Sequence, residues 1–205
     1  MRAGLLIAVA LVVLVMFVFL QSWRASLIPL LHERTGQLRP AVWDATTNAR
    51  LDLDLDLPGE VDVADWWPDA GALLVVHTYM GRNELYRLDL AGGALERLDH
   101  PAGSIARAGV RPDGSVWYRW SSGAAAPQVR AVGSEEAVLR PPGPRAPAGV
   151  AYESWTFANP DGEQVHGFLA APPGTGPHPT VMLVHGGPHH HDADGWDPEV
   201  QAFVD

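Results

Sequence analysis

The sequence predicts an all-β fold, a partial β-propeller of about two to three blades. An apolar helix precedes it and the opening strands of an α/β domain follow it. Three observations carry this reading. Short β-branched and aromatic runs alternate with turn residues from Gln37 to about Leu139. A motif within that region recurs at a fixed spacing. Behind it, an apolar run without alternation, "PTVMLVH", runs straight into "GGP".

The chain has 205 residues, enough for one domain or two small ones. It is 47% hydrophobic and 19% charged, ordinary for a globular protein. A net charge of −10 and the absence of an Arg-rich stripe argue against a nucleic-acid partner. With no cysteine, disulfides, thiol catalysis and thiolate metal sites are excluded.

The first element is Ala3 to Leu20, "AGLLIAVALVVLVMFVFL", which meets the minimum of about 18 residues for a spanning helix. A signal peptide needs a shorter core and a small-x-small cleavage site, and Trp23 falls where a small residue is wanted. The run is therefore read as a single-pass membrane anchor. The competing reading is that it is not native to the domain behind it. Arg2 lies on one side and Arg24, Arg34 and Arg39 on the other, so the positive-inside rule assigns no orientation. The expected location is the membrane if this segment is genuine and the cytoplasm otherwise.

The propeller reading covers 37–140. "ALLVVH" (Ala72–His77), "ELYRLDL" (Glu84–Leu90) and "SVWYRW" (Ser115–Trp120) read as strands. "PDAG", "GRN", "AGG" and "PDG" read as the turns between them. "WPDAGALLVV" from Trp67 and "RPDGSVWYRW" from Arg111 are offset by 44 residues. The same offset carries "AVWD" at Ala41 to "LYRL" at Leu85 and "VRAV" at Val129. A period of ~40–45 residues with four short strands is a propeller blade. Trp43, Trp66, Trp67, Trp117 and Trp120 are then expected to pack between blades. A closed ring needs about 4–8 blades, so about two to three leave sheet edges open. A partner chain or self-association is expected to complete them.

Residues 141–148, "PPGPRAPA", read as a Pro-rich linker and the domain boundary. In 149–205, Ser154–Ala158 and Gln164–Ala170 read as strands around "NPDG", and Pro179–His185 as a strand buried on both faces. A Gly-rich loop at a strand's C-terminal end is where α/β sheets bind ligands.

A propeller feeding through a Pro-rich link into "TFANPDGEQVHGFLAAP" and then "VHGGPHHHDADGWDPEVQAFVD" resembles the prolyl oligopeptidase family of serine peptidases. It is more narrowly similar to the acylaminoacyl-peptidase and dipeptidyl-aminopeptidase branch. The resemblance covers roughly Gln37 to Asp205. It implies that 149–205 is the N-terminal part of an α/β-hydrolase domain acting on short or N-acylated peptides through an acyl-enzyme. It also implies that His185, Gly186, Gly187 and Pro188 form one side of an oxyanion hole. His189, Asp192 and Asp194 become candidates for a substrate-facing loop.

His189, His190, His191, Asp192 and Asp194 are all metal-ligand types. Three consecutive histidines on a loop do not converge easily on one ion, however, and no HExxH spacing is present. No metal and no cofactor are expected. A G-x-S-x-G elbow is also missing: "AGSIA", "DGSVW" and "VGSEE" lack the second glycine. The 17 residues after Pro188 include no serine. No residue is assigned as nucleophile, catalytic Asp or catalytic His, and His166 and His178 read as surface or turn residues. The expectation is a truncated piece of a serine peptidase, inactive alone. The alternatives are a membrane-tethered, non-catalytic propeller module binding peptide or a partner protein, and a metal-binding protein using the histidine cluster.

Overall fold

The computed structural model describes residues 27–34, 36, 38–134, 136–139, 142–187 and 190–205. The expected apolar helix at 3–20 lies outside them. Among the described residues no helix is long and apolar enough to cross a membrane. The chain divides into two compact units, one ending at Val63 and one beginning at Ala64.

The first unit holds a three-stranded antiparallel sheet, β1 (Leu27–His32), β2 (Arg39–Asp44) and β3 (Ala49–Asp52), in that order. Asp44 shapes the β2–β3 turn by accepting the Thr46 amide at 2.8 Å, an Asx-turn contact. Asn48 follows at φ 60°, where asparagine is tolerated better than most residues. Beyond β3, "LDLDLDL" alternates: Leu53 and Leu55 are buried while Asp54 and Asp56 are exposed. The Arg39 guanidinium closes this stretch on the Gly59 carbonyl at 2.7 Å.

Two four-stranded antiparallel sheets follow. One is β4 (Glu60–Trp66), β5 (Ala72–Tyr79), β6 (Arg82–Asp89) and β7 (Leu95–Arg97), with the unit boundary inside β4. The other is β8 (Ser104–Val110), β9 (Val116–Ser122), β10 (Ala125–Ala131) and β11 (Ala137–Leu139). Each is a four-stranded meander in chain order, the form of a propeller blade. β4 and β8 begin 44 residues apart, as do β5 and β9. Within the second strands the equivalence drops by one: the Trp67 amide donates to the Ala72 carbonyl five residues on, the Arg111 amide to the Ser115 carbonyl only four on, and the hairpins close at Tyr79–Arg82 and Ser122–Ala125. Leu74 therefore corresponds to Trp117, and Val75 to Tyr118.

The shift has a consequence for packing. Leu74 and Leu85 of the first blade meet Ile105, Val116, Tyr118 and Trp120 of the second in one buried cluster, flanked by Trp67, Val76 and Leu98. Residues two apart on a strand share a face, so Val116, Tyr118 and Trp120 point together. Of the five expected packing tryptophans in the chain, Trp120 is in this cluster and Trp67 lines it. Polar links join the same sheets: Asp65 accepts the Val110 amide at 2.8 Å, and Asn83 accepts that of Ile105 at 2.8 Å.

Two sequence expectations need correction. "GRN" belongs to the turn only at Gly81. The β5–β6 hairpin closes on Met80 and Gly81, at φ 47° and 68°, and Arg82 and Asn83 are already paired in β6. Positive φ at both central residues is what a tight two-residue hairpin requires. The second correction concerns Pro179–His185, which forms no strand and is exposed throughout. Val184 is 79% exposed. A strand buried on both faces needs a ladder on each side and cover above and below. Among the described residues, 149–205 contribute only the hairpin β12 (Glu153–Ala158) with β13 (Gln164–Leu169) and the short helix α1 (Pro198–Val204). Among the described residues nothing pairs with 179–185, so the expected α/β sheet is not formed there.

The β12–β13 hairpin is otherwise as expected. Asn159 and Gly162 (φ 85°) turn the chain at "NPDG". Helix α1 starts at Asp197, whose carboxylate accepts the Glu199 amide at 2.8 Å, and Pro198 takes the first helical position.

Candidate oxyanion loop and its anchorage

His185, Gly186 and Gly187 lie together in an exposed loop; Pro188 and His189 lie outside the described residues. A Cβ built on Gly186 or Gly187 would meet nothing within 4 Å. His185 Nδ1 lies 2.8 Å from the Gly186 carbonyl. A carbonyl only accepts, so Nδ1 carries the proton and, in the neutral ring, Nε2 is an acceptor. In that tautomer the donors this loop presents are backbone amides. The His190 ring stands edge-on to that of His185, with centroids 5.9 Å apart. Among the described residues no three metal-ligating side chains converge.

The acids of the loop are placed differently from one another. Asp192 is exposed. Asp194 is 5% exposed and wholly engaged. One carboxylate oxygen accepts from Arg82 Nε at 2.8 Å and the other from the Gly123 amide at 3.0 Å. Its own amide donates to the Gly81 carbonyl at 2.8 Å. Asp194 thus faces into the protein.

Arg82 extends this network. Its Nη1 donates to Ser154 Oγ at 3.2 Å, and its guanidinium lies over the Phe168 ring, 5.5 Å from the centroid. His166 Nε2 sits 3.3 Å from the same Ser154 oxygen, its ring edge-on to Phe168 at 4.9 Å. Partial burial, reinforced by the Arg82 charge, holds His166 below its ordinary value of 6.5. Ser154, His166 and Phe168 share one face of the hairpin. Trp155, Phe157, Val165 and Leu169 share the other, where all four are exposed. Trp155 and Phe157 stack there at 4.7 Å.

Several anchoring residues escape a sequence reading. Arg82 and Asp194 are 112 positions apart, and neither has a local motif. Gly123 and Gln201 are equally silent. One signal was available: Gly81 and Gly123 occupy the same turn, between second and third strands, in consecutive repeats.

No protein-family model matches the chain, and no curated protein matches it. Solved structures do. A serine-to-alanine mutant of puromycin hydrolase complexed with PGG superposes with a TM-score of 0.64 at 23% identity, over 87% of this chain and 30% of that one. A second puromycin hydrolase structure gives 0.62 at 22% identity, over 86% and 30%. TolB from Acinetobacter baumannii gives 0.49 at 20% identity, over 74% and 37%. The likeness to puromycin hydrolase is one of fold, a propeller-like series of antiparallel sheets. The chain spans about a third of the length of those structures.

Proposed function

We propose that this chain is part of a serine peptidase of the prolyl oligopeptidase type. It holds the last propeller blades and the opening segment of the hydrolase domain. In the whole enzyme a serine attacks the carbonyl of a short or N-acylated peptide, an acyl-enzyme forms, and water releases it. His185–Pro188 supplies one side of the oxyanion hole through backbone N–H groups. Such donors, fixed about 3 Å from the developing charge, are each worth ~10²–10³ in rate.

The observation that carries this reading is the run Val181–Val184. Four apolar residues stand exposed immediately before His185-Gly186-Gly187, and the β12–β13 hairpin earlier in the chain also has a bare apolar face. Such a surface calls for a sheet and layers to cover it. Glycines that meet no steric demand here are suited to a close backbone approach by a bound intermediate.

The test has two parts. The purified full chain is assayed with acylated and dipeptidyl chromogenic substrates, and no hydrolysis is expected, since no G-x-S-x-G elbow is present. The gene is then read past the codon for Asp205 for G-x-S-x-G, Asp and His in that order. Turnover by the chain alone would overturn the reading. Absence of a continuation would favour a membrane-tethered, non-catalytic propeller module that binds peptide or a partner protein.

A further inference from the structure

We infer that Asp194 and Gln201 are positioning residues that strap the segment 192–204 onto the hairpin turns of two successive blades, limiting how far the loop at His185–Gly187 can stand from the propeller. The two turns are equivalent: Met80–Gly81 joins β5 to β6, and Gly123–Ala124 joins β9 to β10. Each presents a glycine peptide to the strap. The Gly81 carbonyl accepts the Asp194 amide at 2.8 Å. Gly123 is held at both ends of its residue: its N–H donates to the Asp194 carboxylate at 3.0 Å, and its carbonyl accepts from Gln201 Nε2 at 3.0 Å. Gln201 Oε1 accepts the Val150 amide at 2.7 Å, so the chain leaving the last blade is held too. Asp194 and Gln201 are both buried.

The glycines explain why the strap lies so close. A Cβ at Gly81 would come within 2.6 Å of the Asp192 carbonyl oxygen and of the Phe168 ring. One at Gly123 would enter the Tyr152 ring, and one at Gly149 would come within 2.6 Å of both Gln201 and Trp196. Apart from the Gln201 side chain, these contacts are made by backbone and by rings, which have little room to yield. Gly187 is seven residues before Asp194, so it stands at most about 25 Å from that anchor. A buried, paired carboxylate is costly to release, which keeps the anchor in place.

That the restrained loop is an oxyanion loop rests on the function proposed above; the strap itself does not. Because the chain has no cysteine, Gly187→Cys and Glu96→Cys introduce unique spin-label sites in the full chain. Gly187 has open space for a label, and Glu96 is exposed on β7. Pulsed dipolar spectroscopy is expected to give one bounded distance distribution in the parent. Asp194→Ala and Gln201→Ala should each broaden it towards longer distances. Asp194→Asn, which keeps an acceptor for the Gly123 amide, should broaden it less. Hydrogen exchange at Leu74 and Leu85 should stay slow in Gln201→Ala, which decides the matter even where Asp194→Ala fails to fold. A parent distribution already broad, distributions unchanged in both alanine variants, or loss of blade protection along with the strap would each overturn the inference. None of these readouts depends on catalysis, so failure of the peptidase reading leaves them standing.

Discussion

Gly123 has no room for a side chain, because the Tyr152 ring occupies the space a Cβ would take. Gly123→Ala should therefore cost about 1–3 kcal/mol, read from urea unfolding of the full chain. Unchanged stability would mean that the ring moves aside freely. His166 makes a second prediction at this scale. Burial and the Arg82 charge hold its folded-state value below the unfolded value of 6.5. The unfolded chain therefore takes up the proton first, and stability falls as pH drops through 6.5 towards the lower folded value. The melting temperature of the parent should fall relative to that of His166→Gln across this window. Parallel pH profiles would show that burial and the Arg82 charge give His166 no linkage to folding.

Among the elements, burial separates two leucines of the same chemistry. Leu74 of β5 is fully buried between blades, and Leu74→Ala should cost about 2–5 kcal/mol. Leu183 sits in the run that forms no strand and is half exposed, so Leu183→Ala should stay within about 0.5 kcal/mol. Chemical unfolding of both variants checks the contrast. A large loss at Leu183 would show that the run is packed in solution. The β12–β13 hairpin explains why the contrast arises: two strands are marginal alone and need a third strand or a covering layer. One face of this hairpin has the Arg82 network, and the other has nothing among the described residues.

At the scale of the whole molecule, exposed apolar surface of this kind is expected to drive association. Trp155, Phe157 and Met182 are all exposed within one stretch of chain. A triple variant with serine at these positions should sediment with less self-association than the parent in the same detergent, without a lower melting temperature. Equal association in both would move the sticky surface elsewhere. The net charge of −10 resists aggregation, and all of it comes from the chain beyond residue 50.

Much of this was legible in the sequence because it is local or periodic. Strand alternation, Gly and Asn turns and the blade repeat need only nearby residues, so β5, β6, β9 and the β12–β13 hairpin could be read directly. His185, Gly186 and Gly187 were read as a loop and lie in one. What the sequence could not reveal depends on partners far apart in the chain. A run such as Val181–Val184 looks like a buried strand, but a strand exists only where neighbours complete its ladder. "GRN" has turn composition, but the hairpin ladder extends through Arg82 and Asn83 and moves the turn to Met80–Gly81. Asp194 reads as a loop acid until Arg82, 112 positions away, and the Gly123 amide close on its carboxylate. Composition and periodicity determined the blades, because backbone hydrogen bonding and alternation are short-range rules. Only the tertiary structure decided which polar groups are anchors and which apolar groups are left in water, because burial belongs to the assembled fold.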